Sequence, residues 1–428
     1  MKIFNAYNRE IKGNRPVLDE IGVGTVRDRY SSYPSHGLTP ERLASIFREA
    51  DTGDVGRQAE LFEEMEEKDA HLGSVLQTRK IAVTGLQWEI ASASKDREDE
   101  AAAAFIKDAL ARIEDWDGAL LHMLDAIGKG FSVSEIMWEV SDGRAWIKGL
   151  RWRHQKMFTF TPPPPPLAKG GMGGVADFPR LLTDSSPVYG EELTPNKFVV
   201  HSYSARSGVM PRAGVLRPCA YMYLFKNYSL KDWIIFNERF AMPARIGRFN
   251  ASSTEADRKV LRNAVFNLGT DAAAVISDST VIELLESRTK SPSADTYERL
   301  VSFCDSAMSK AVLGQTLTAE QTGGAYATAK VHQGVRQDIL EADASALART
   351  ITMQVIRPLV GFNFGGGRKL PAFSFHREEA EDLGAVAQTY AALVRDAGFD
   401  GIPVSHIHKR FGIPFPEEGE ETLKGGGK

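Results

Sequence analysis

The residues best suited to chemistry in this 428-residue sequence are nine histidines, two cysteines and a scatter of carboxylates, and their spacing builds no familiar catalytic machine. No stretch has the glycines, lysine and Ser/Thr of a phosphate-cradling loop, the G-x-S-x-G turn that exposes a nucleophilic serine, or the paired histidines of H-E-x-x-H. His406 and His408 are two residues apart, so a helix turns them in different directions. No cysteine or carboxylate cluster completes a tetrahedral metal set around them. Gly365-Gly366-Gly367-Arg368-Lys369 offers glycines beside a lysine, but the spacing is wrong and no Ser or Thr follows, so it reads as a flexible turn. Val404–Pro414 carries only a faint helix-turn-helix pattern. The expectation is a chain with no catalytic residues, metal or cofactor, in a structural or assembly role.

Charge sharpens that expectation. The net charge is −4 and the pI about 6.2, whereas a protein gripping DNA phosphates needs a basic surface. The imbalance is local. Residues 41–70 hold ten acids against four bases, a net of −6, and residues 143–217 hold eleven bases against four acids, a net of +7. The acidic run is either a solvated helix face or a negative wall toward a partner. The basic run is either a surface for an anionic partner or a set of exposed side chains on a loop-rich segment. Cys219 and Cys304 suggest a reducing compartment without disulfides. No apolar run reaches membrane-spanning length, and the N-terminus lacks the apolar core of a signal peptide, so the chain is expected to fold in a cytoplasm and to have no membrane partner. Its length implies two or three packed domains.

The elements that must position these residues alternate between helix and strand. Thr39-Pro40-Glu41 starts a helix running to about Ala50, with a cap, a proline and an acid in the first turn. A second helix is expected over Gln58–Ala82, a strand over Leu86–Ile90, and helices over Asp99–Ile113 and Trp116–Ile127. Phe131–Val140 and Ala145–Leu150 form a hairpin about Asp142-Gly143. Pro162 to Pro166 exclude helix and central strand, and a strand follows at 197–203. Cys219–Met242 is a long aromatic helix, kinked near Ser229, which packs either on copies of itself or within its own domain. Strands are expected at Ala244–Phe249, Ala272–Ile276 and Val281–Leu285, with helices at Thr254–Leu268 and Ala294–Leu313. A long helix from Ala325 ends at Pro358. A strand at Pro371–Phe375 precedes helices at Arg377–Ala397 and Val404–Phe411.

Several stretches, in this order, resemble the portal proteins of Mu-like phages: Arg151-Trp152-Arg153-His154-Gln155, Leu193–His201, Lys226–Trp233, Val312-Leu313-Gly314-Gln315-Thr316-Leu317-Thr318, Val331-His332 and Glu341-Ala342-Asp343-Ala344. Weaker similarity runs from Gly37 to Pro414. The chain carries little of the C-terminal extension of many relatives, which bears on the size of a crown.

That resemblance implies an α+β portal-type fold: a mixed α/β wing, a helical stem, a small β-containing clip and a helical crown, in a ring, usually a dodecamer. The implied segments are an N-terminal arm (1–37), wing (38–149 and 243–313), clip (150–213), stem helix (214–242), tunnel loop (314–324), tunnel helix and crown (325–416) and a flexible tail (417–428). It implies passage of double-stranded DNA during packaging and ejection. The implied partners are the large terminase subunit, a head-tail adaptor, and the major capsid and scaffolding proteins. The implied place is the capsid vertex of the virion, after assembly in the host cytoplasm. The expected channel residues are Gln315, Thr316, Thr318, Gln321 and Thr322; the expected docking residues are Arg151, Arg153, Lys156, Lys169 and Arg180; the expected inter-subunit residues are Tyr221, Leu224, Phe225 and Trp233. A head-tail adaptor without a packaging role is the alternative. An enzyme of the same phage or a polyproline-bearing interaction module are further rivals.

Overall fold

The structure, a computed structural model, describes residues 15–22, 35–163, 175–203, 206–240, 245–249, 252–267, 273–277, 293–315, 325–376, 383–396, 398 and 401–416. It divides into two units, 1–376 and 377–428.

Helix α1 (Pro40–Asp51) starts as its sequence dictates, with the Thr39 hydroxyl accepting from the Arg42 amide at 3.2 Å. The single helix expected over 58–82 is two, α2 (Gly56–Lys68) and α3 (Ala70–Thr84). Asp69 makes the break: its backbone is extended and its carboxylate accepts from the His71 and Leu72 amides at 3.1 and 3.0 Å. A capping aspartate competes locally with helix propagation, and the apolar periodicity continues across it. Strand β1 (Gln87–Ala91) follows, then α4 (Arg97–Ala111). The helix expected over 116–127 is likewise two, α5 (Trp116–Met123) and the short α6 (Ala126–Lys129).

Strands β2 (Phe131–Ser141) and β3 (Arg144–Arg153) form the expected hairpin. Asp142 and Gly143 both adopt positive φ, 53° and 71°, the geometry of the turn whose twist matches the strands. Short strands β4 (Phe158–Thr159), β5 (Arg180–Leu181) and β6 (Glu191–Glu192) make a separate small sheet. Strand β7 (Phe198–Ser202) then returns to pair antiparallel with β2, giving the order β3-β2-β7. Pro164, Pro165 and Pro166 lie outside the described residues.

Helix α7 (Leu216–Phe240) is continuous through Ser229. Strands β8 (Arg245–Phe249) and β9 (Ala273–Ser277) pair in parallel, with α8 (Glu255–Asn267) packed on both. The strand expected at 281–285 falls outside the described residues. Helix α9 (Ser293–Leu313) packs along α7 and α3. Helix α10 (Ala325–Ile351) does not stop at Pro358. It widens into a π-helical segment, Thr352–Ile356, and continues as α11 (Arg357–Phe364). Pro358 is the second residue of α11, directly after the π-helical segment, and the chain stays helical through it. Strand β10 (Ala372–His376) pairs with β1. In the second unit, α12 (Leu383–Arg395) and α13 (Val404–Phe411) are described, with the start expected at Arg377 outside the described residues.

One hydrophobic cluster gathers α1 to α5, the β2–β3 hairpin, α7, α9, α10 and α11. A second, built on Phe131, Val133, Phe158 and Phe160, lies under the small sheet.

Candidate channel, clip and stem surfaces

The basic stretch is largely answered by the chain's own acids. Arg153, on β3, donates to Glu135 of β2 at 3.0 and 2.7 Å and also to Glu20 of the arm. Arg151 reaches Glu20 at 2.7 Å with its side chain 58% exposed. Lys156 is buried, 3.7 Å from Glu60. Arg180 donates to the carbonyls of Tyr189 and Gly190 at 2.8 and 3.0 Å and lies 3.6 Å from Glu192. Arg217 and Arg212 both approach Asp51, at 2.6 and 3.5 Å. Lys169 lies outside the described residues. Among the described docking candidates, Arg151 keeps the most exposed cation, and Arg153 and Lys156 are internal ties.

The acidic face of α2 meets the same fate, which neither sequence reading anticipated. Glu64 is buried against the Ser35 amide at 2.8 Å and the Ser35 hydroxyl, and pairs with Lys68. Glu63 meets His154 at 2.7 Å. Glu66 meets Lys80 at 3.1 Å, and Lys80 and Lys129 each reach Asp125 at 2.9 Å. Gln155 donates at 2.8 Å to Oδ2 of that carboxylate, the oxygen that Lys129 also reaches. Burial works against the Asp125 charge, but Lys129 and Lys80 outweigh it and hold its pKa below the ordinary range. Burial and the Asp125 charge together push Glu66 upward. Glu63, Glu66, Lys80, Asp125 and Lys129 line an open cleft of about 480 Å³.

The channel candidates flank the end of α9. Gly314 takes φ +72° there, where a side chain would be strained and a Cβ would come within 3.0 Å of Ile339. Gln315 is half-buried, and its Oε1 is covered without a hydrogen-bond partner among the described residues. Thr316, Thr318, Gln321 and Thr322 lie outside the described residues. Sequence reasoning missed the residue that ties the flanking helices together. Arg79, on α3, grips Asp343 of α10 at 2.7 and 3.0 Å, the Val312 carbonyl at the end of α9 at 2.6 Å, and the Tyr203 hydroxyl at 3.0 Å. Burial works against its charge, and the Asp343 carboxylate more than restores it. The one available signal was an arginine inside the apolar stripe of a helix. Two further ties hold α9: His71 to Ser309 at 2.7 Å, and Lys226 to both Asp69 and Asp305 at 3.0 and 2.6 Å.

Helix α7 changes surroundings along its length. Leu216, Cys219, Ala220, Tyr223 and Leu224 belong to the chain's own core. Leu224 is 2% exposed, so it cannot meet a neighbour without opening that core, which removes it from the inter-subunit candidates. Tyr221 packs edge-on against Phe47 at 6.1 Å and is partly exposed, Phe225 is 42% exposed, and Trp233 is half-buried. Ile234 and Phe303, on α7 and α9, are 60% and 62% exposed. Among the described residues no cluster of three or more His, Cys, Asp or Glu could hold a metal, and no helix is long and apolar enough to cross a membrane.

The model of the family "Portal protein of Mu bacteriophage" matches residues 59–413. "Mu-like prophage FluMu protein gp29" of Haemophilus influenzae is 34% identical over 407 residues, covering 92% of this chain and 74% of that one. "Portal protein" of Escherichia phage Mu is 33% identical over 418 residues, 95% of this chain and 76% of that one. Among solved structures, "Neck of empty GTA particle computed with C6 symmetry" is similar at 11% identity and a TM-score of 0.48, covering 88% of this chain and 94% of that chain. A family match from residue 59 to 413, with two relatives aligned along nearly the whole chain, makes this chain a member of the Mu bacteriophage portal protein family.

Proposed function

We propose that the chain is one subunit of a closed ring at the capsid vertex, through which double-stranded DNA is packaged and later ejected. The observation that carries this reading is the family match over 59–413. The ring, as a homo-oligomer of about a dozen copies, accounts for the apolar side chains left uncovered on α7 and α9. Tyr221, Phe225 and Trp233, with Ile234 and Phe303 beside them, become contacts between neighbouring stems.

The charge of the chain suits a passage. Each phosphate neutralised by a lysine or arginine adds affinity through counterion release, and many such contacts around a ring would stall a moving duplex. A chain of net charge −4 that spends its buried cations on its own carboxylates avoids that grip. Gln315, Thr316, Thr318, Gln321 and Thr322 offer weak, exchangeable hydrogen bonds to the duplex, and Arg79 ties the end of α9 before them to Asp343 inside α10 after them.

Docking of the large terminase subunit and the head-tail adaptor falls to the 150–213 region. Arg151 supplies its exposed charge. Val188 and Tyr189 supply an apolar anchor, held out on a turn that Arg180 and Ser186 bind to the Gly190 carbonyl. The major capsid and scaffolding proteins complete the partners of a subunit built in the host cytoplasm and carried in the virion.

The test is Gln315→Lys combined with Thr318→Lys. Rings should form normally, and DNA packaged per particle should fall. Normal packaging by rings of the double variant would remove 314–324 from the channel wall.

A further inference from the structure

Residues 15–22 are the part of the arm that the structure describes, and they lie against the β3-β2-β7 sheet in a specific way. Glu135 stands on the central strand with no exposed surface. Its two carboxylate oxygens accept from consecutive main-chain amides of the arm, Ile21 at 2.6 Å and Gly22 at 2.8 Å. Arg153 binds the same carboxylate from the opposite strand at 3.0 and 2.7 Å. Lys197, equally buried, lies 3.5 Å from Glu135 and donates to the Val17 carbonyl at 3.1 Å.

The side chains of the arm are read as well. Glu20 receives Arg151 at 2.7 Å and also Arg153, and this pair of guanidinium groups holds its carboxyl below the usual carboxylate range. Ile21 packs against the second hydrophobic cluster. Gly22 is buried, and a Cβ there would come within 2.7 Å of Arg153 Nε and 2.9 Å of Glu135 Oε2. Those atoms have little freedom to yield, because each is held by the other inside the sheet. The position therefore selects glycine by contact.

A buried carboxylate, a buried ammonium and a nearly buried guanidinium are costly unless each polar atom finds a partner. Without the arm, Glu135 loses two donors and Lys197 loses an acceptor. The cluster is thus complete only when an extended segment lies in it, and the contacts it makes need no covalent link to that segment. Main-chain amides and carbonyls supply the affinity, and an acid followed two residues later by glycine supplies the specificity, as in other sites that bind extended peptides.

We propose that Glu135, Arg153, Lys197 and Arg151 form a peptide-recognition socket whose ligand is an extended Glu-X-Gly segment, occupied here by the chain's own residues 15–22 and competent to take the same segment in trans from a second copy. Twelve residues, 23–34, connect the seated segment to Ser35. Fully extended, that many residues reach about 40 Å, which bounds how far from Ser35 the segment can be seated.

The test uses the full chain with a specific protease site inserted after Gly24. After cutting, the fragment ending at Gly24 should stay with the folded remainder. An excess of synthetic peptide spanning Arg15 to Gly22 should displace it. The peptide carrying Gly22→Val or Glu20→Gln should need a concentration about tenfold higher or more. Release of the fragment on cutting, from a remainder that keeps its unfolding transition, would overturn the proposal. So would equal displacement by the Gly22→Val peptide. If the insertion destabilises the chain, the uncut chain with Glu20→Ala and Gly22→Val provides a vacated socket. Labelled peptide of the natural sequence should bind it saturably, and absence of binding would overturn the proposal equally.

Discussion

Arg151 and Arg153 stand on one face of β3, two residues apart, and differ in what their loss should do. Arg151 makes an exposed pair, of a kind worth at most about 1 kcal/mol, so Arg151→Glu should leave the urea midpoint almost unchanged. Arg153→Glu would face a second carboxylate against the fully buried Glu135, and should cost about 3–5 kcal/mol. Equal midpoints for the two variants would contradict the internal role given to Arg153. Arg79 is buried in the same sense. Arg79→Met alone should destabilise by about 3–5 kcal/mol, and Arg79→Met with Asp343→Leu should recover much of that, because the stranded carboxylate is gone. His201 gives a pH dependence. Burial drives its pKa down to about 4, from an ordinary 6.5. The unfolded chain therefore takes up the proton first as pH falls, and stability present above pH 6.5 is lost between pH 6.5 and 4. The loss between pH 7 and pH 5 should be about 2 kcal/mol, and in His201→Gln that part should vanish from the difference in urea midpoints.

At the scale of elements, the helix running through α10, the π segment and α11 is fastened to both edges of the β3-β2-β7 sheet by two amide side chains. Gln354, in the π segment, accepts from the Val200 amide at 2.8 Å and donates to its carbonyl at 2.7 Å. Asn363, in α11, does the same to Ala145 at 2.9 Å each way. The extra residue per turn of the π segment sets the helical phase between the two amides. Gln354→Leu should leave two backbone groups of Val200 unpaired, cost about 2–4 kcal/mol, and raise hydrogen exchange at Val200 more than at its neighbours on β7. Uniform exchange along β7 would show that the clamp does not hold that edge. Much of this element level was legible in sequence. Thr39-Pro40, Asp142-Gly143 and the aromatic run of α7 declare their structures through local chemistry. Other features were not legible, because they depend on what folds onto them. Asp69 breaks a helix inside an unbroken apolar period. Pro358 reads as a terminator in sequence, and the helix continues through it behind a π-helical segment. The acids of 41–70 and the bases of 143–217 form two opposed charge blocks in sequence, and the fold brings them together as internal pairs such as Glu60 with Lys156 and Asp51 with Arg217.

At the scale of the whole molecule, membership of the portal family was legible from ordered stretches such as Arg151–Gln155 and Val312–Thr318, whereas the site was legible only in part. Charge in sequence does not say whether a guanidinium faces a partner or the chain's own Glu135. Aromatic content in sequence does not say which side chains of α7 a neighbour would meet: Leu224 serves its own core while Phe225 remains uncovered. In the proposed ring, a neighbouring copy would cover the apolar side chains left exposed on α7 and α9, and closure would depend on the angle at that contact. The most direct test is negative-stain microscopy of the purified full chain, together with its mass in solution. The account predicts closed rings of about a dozen copies with a stain-filled central hole. A monodisperse monomer or dimer across the concentrations and salts tried would contradict it.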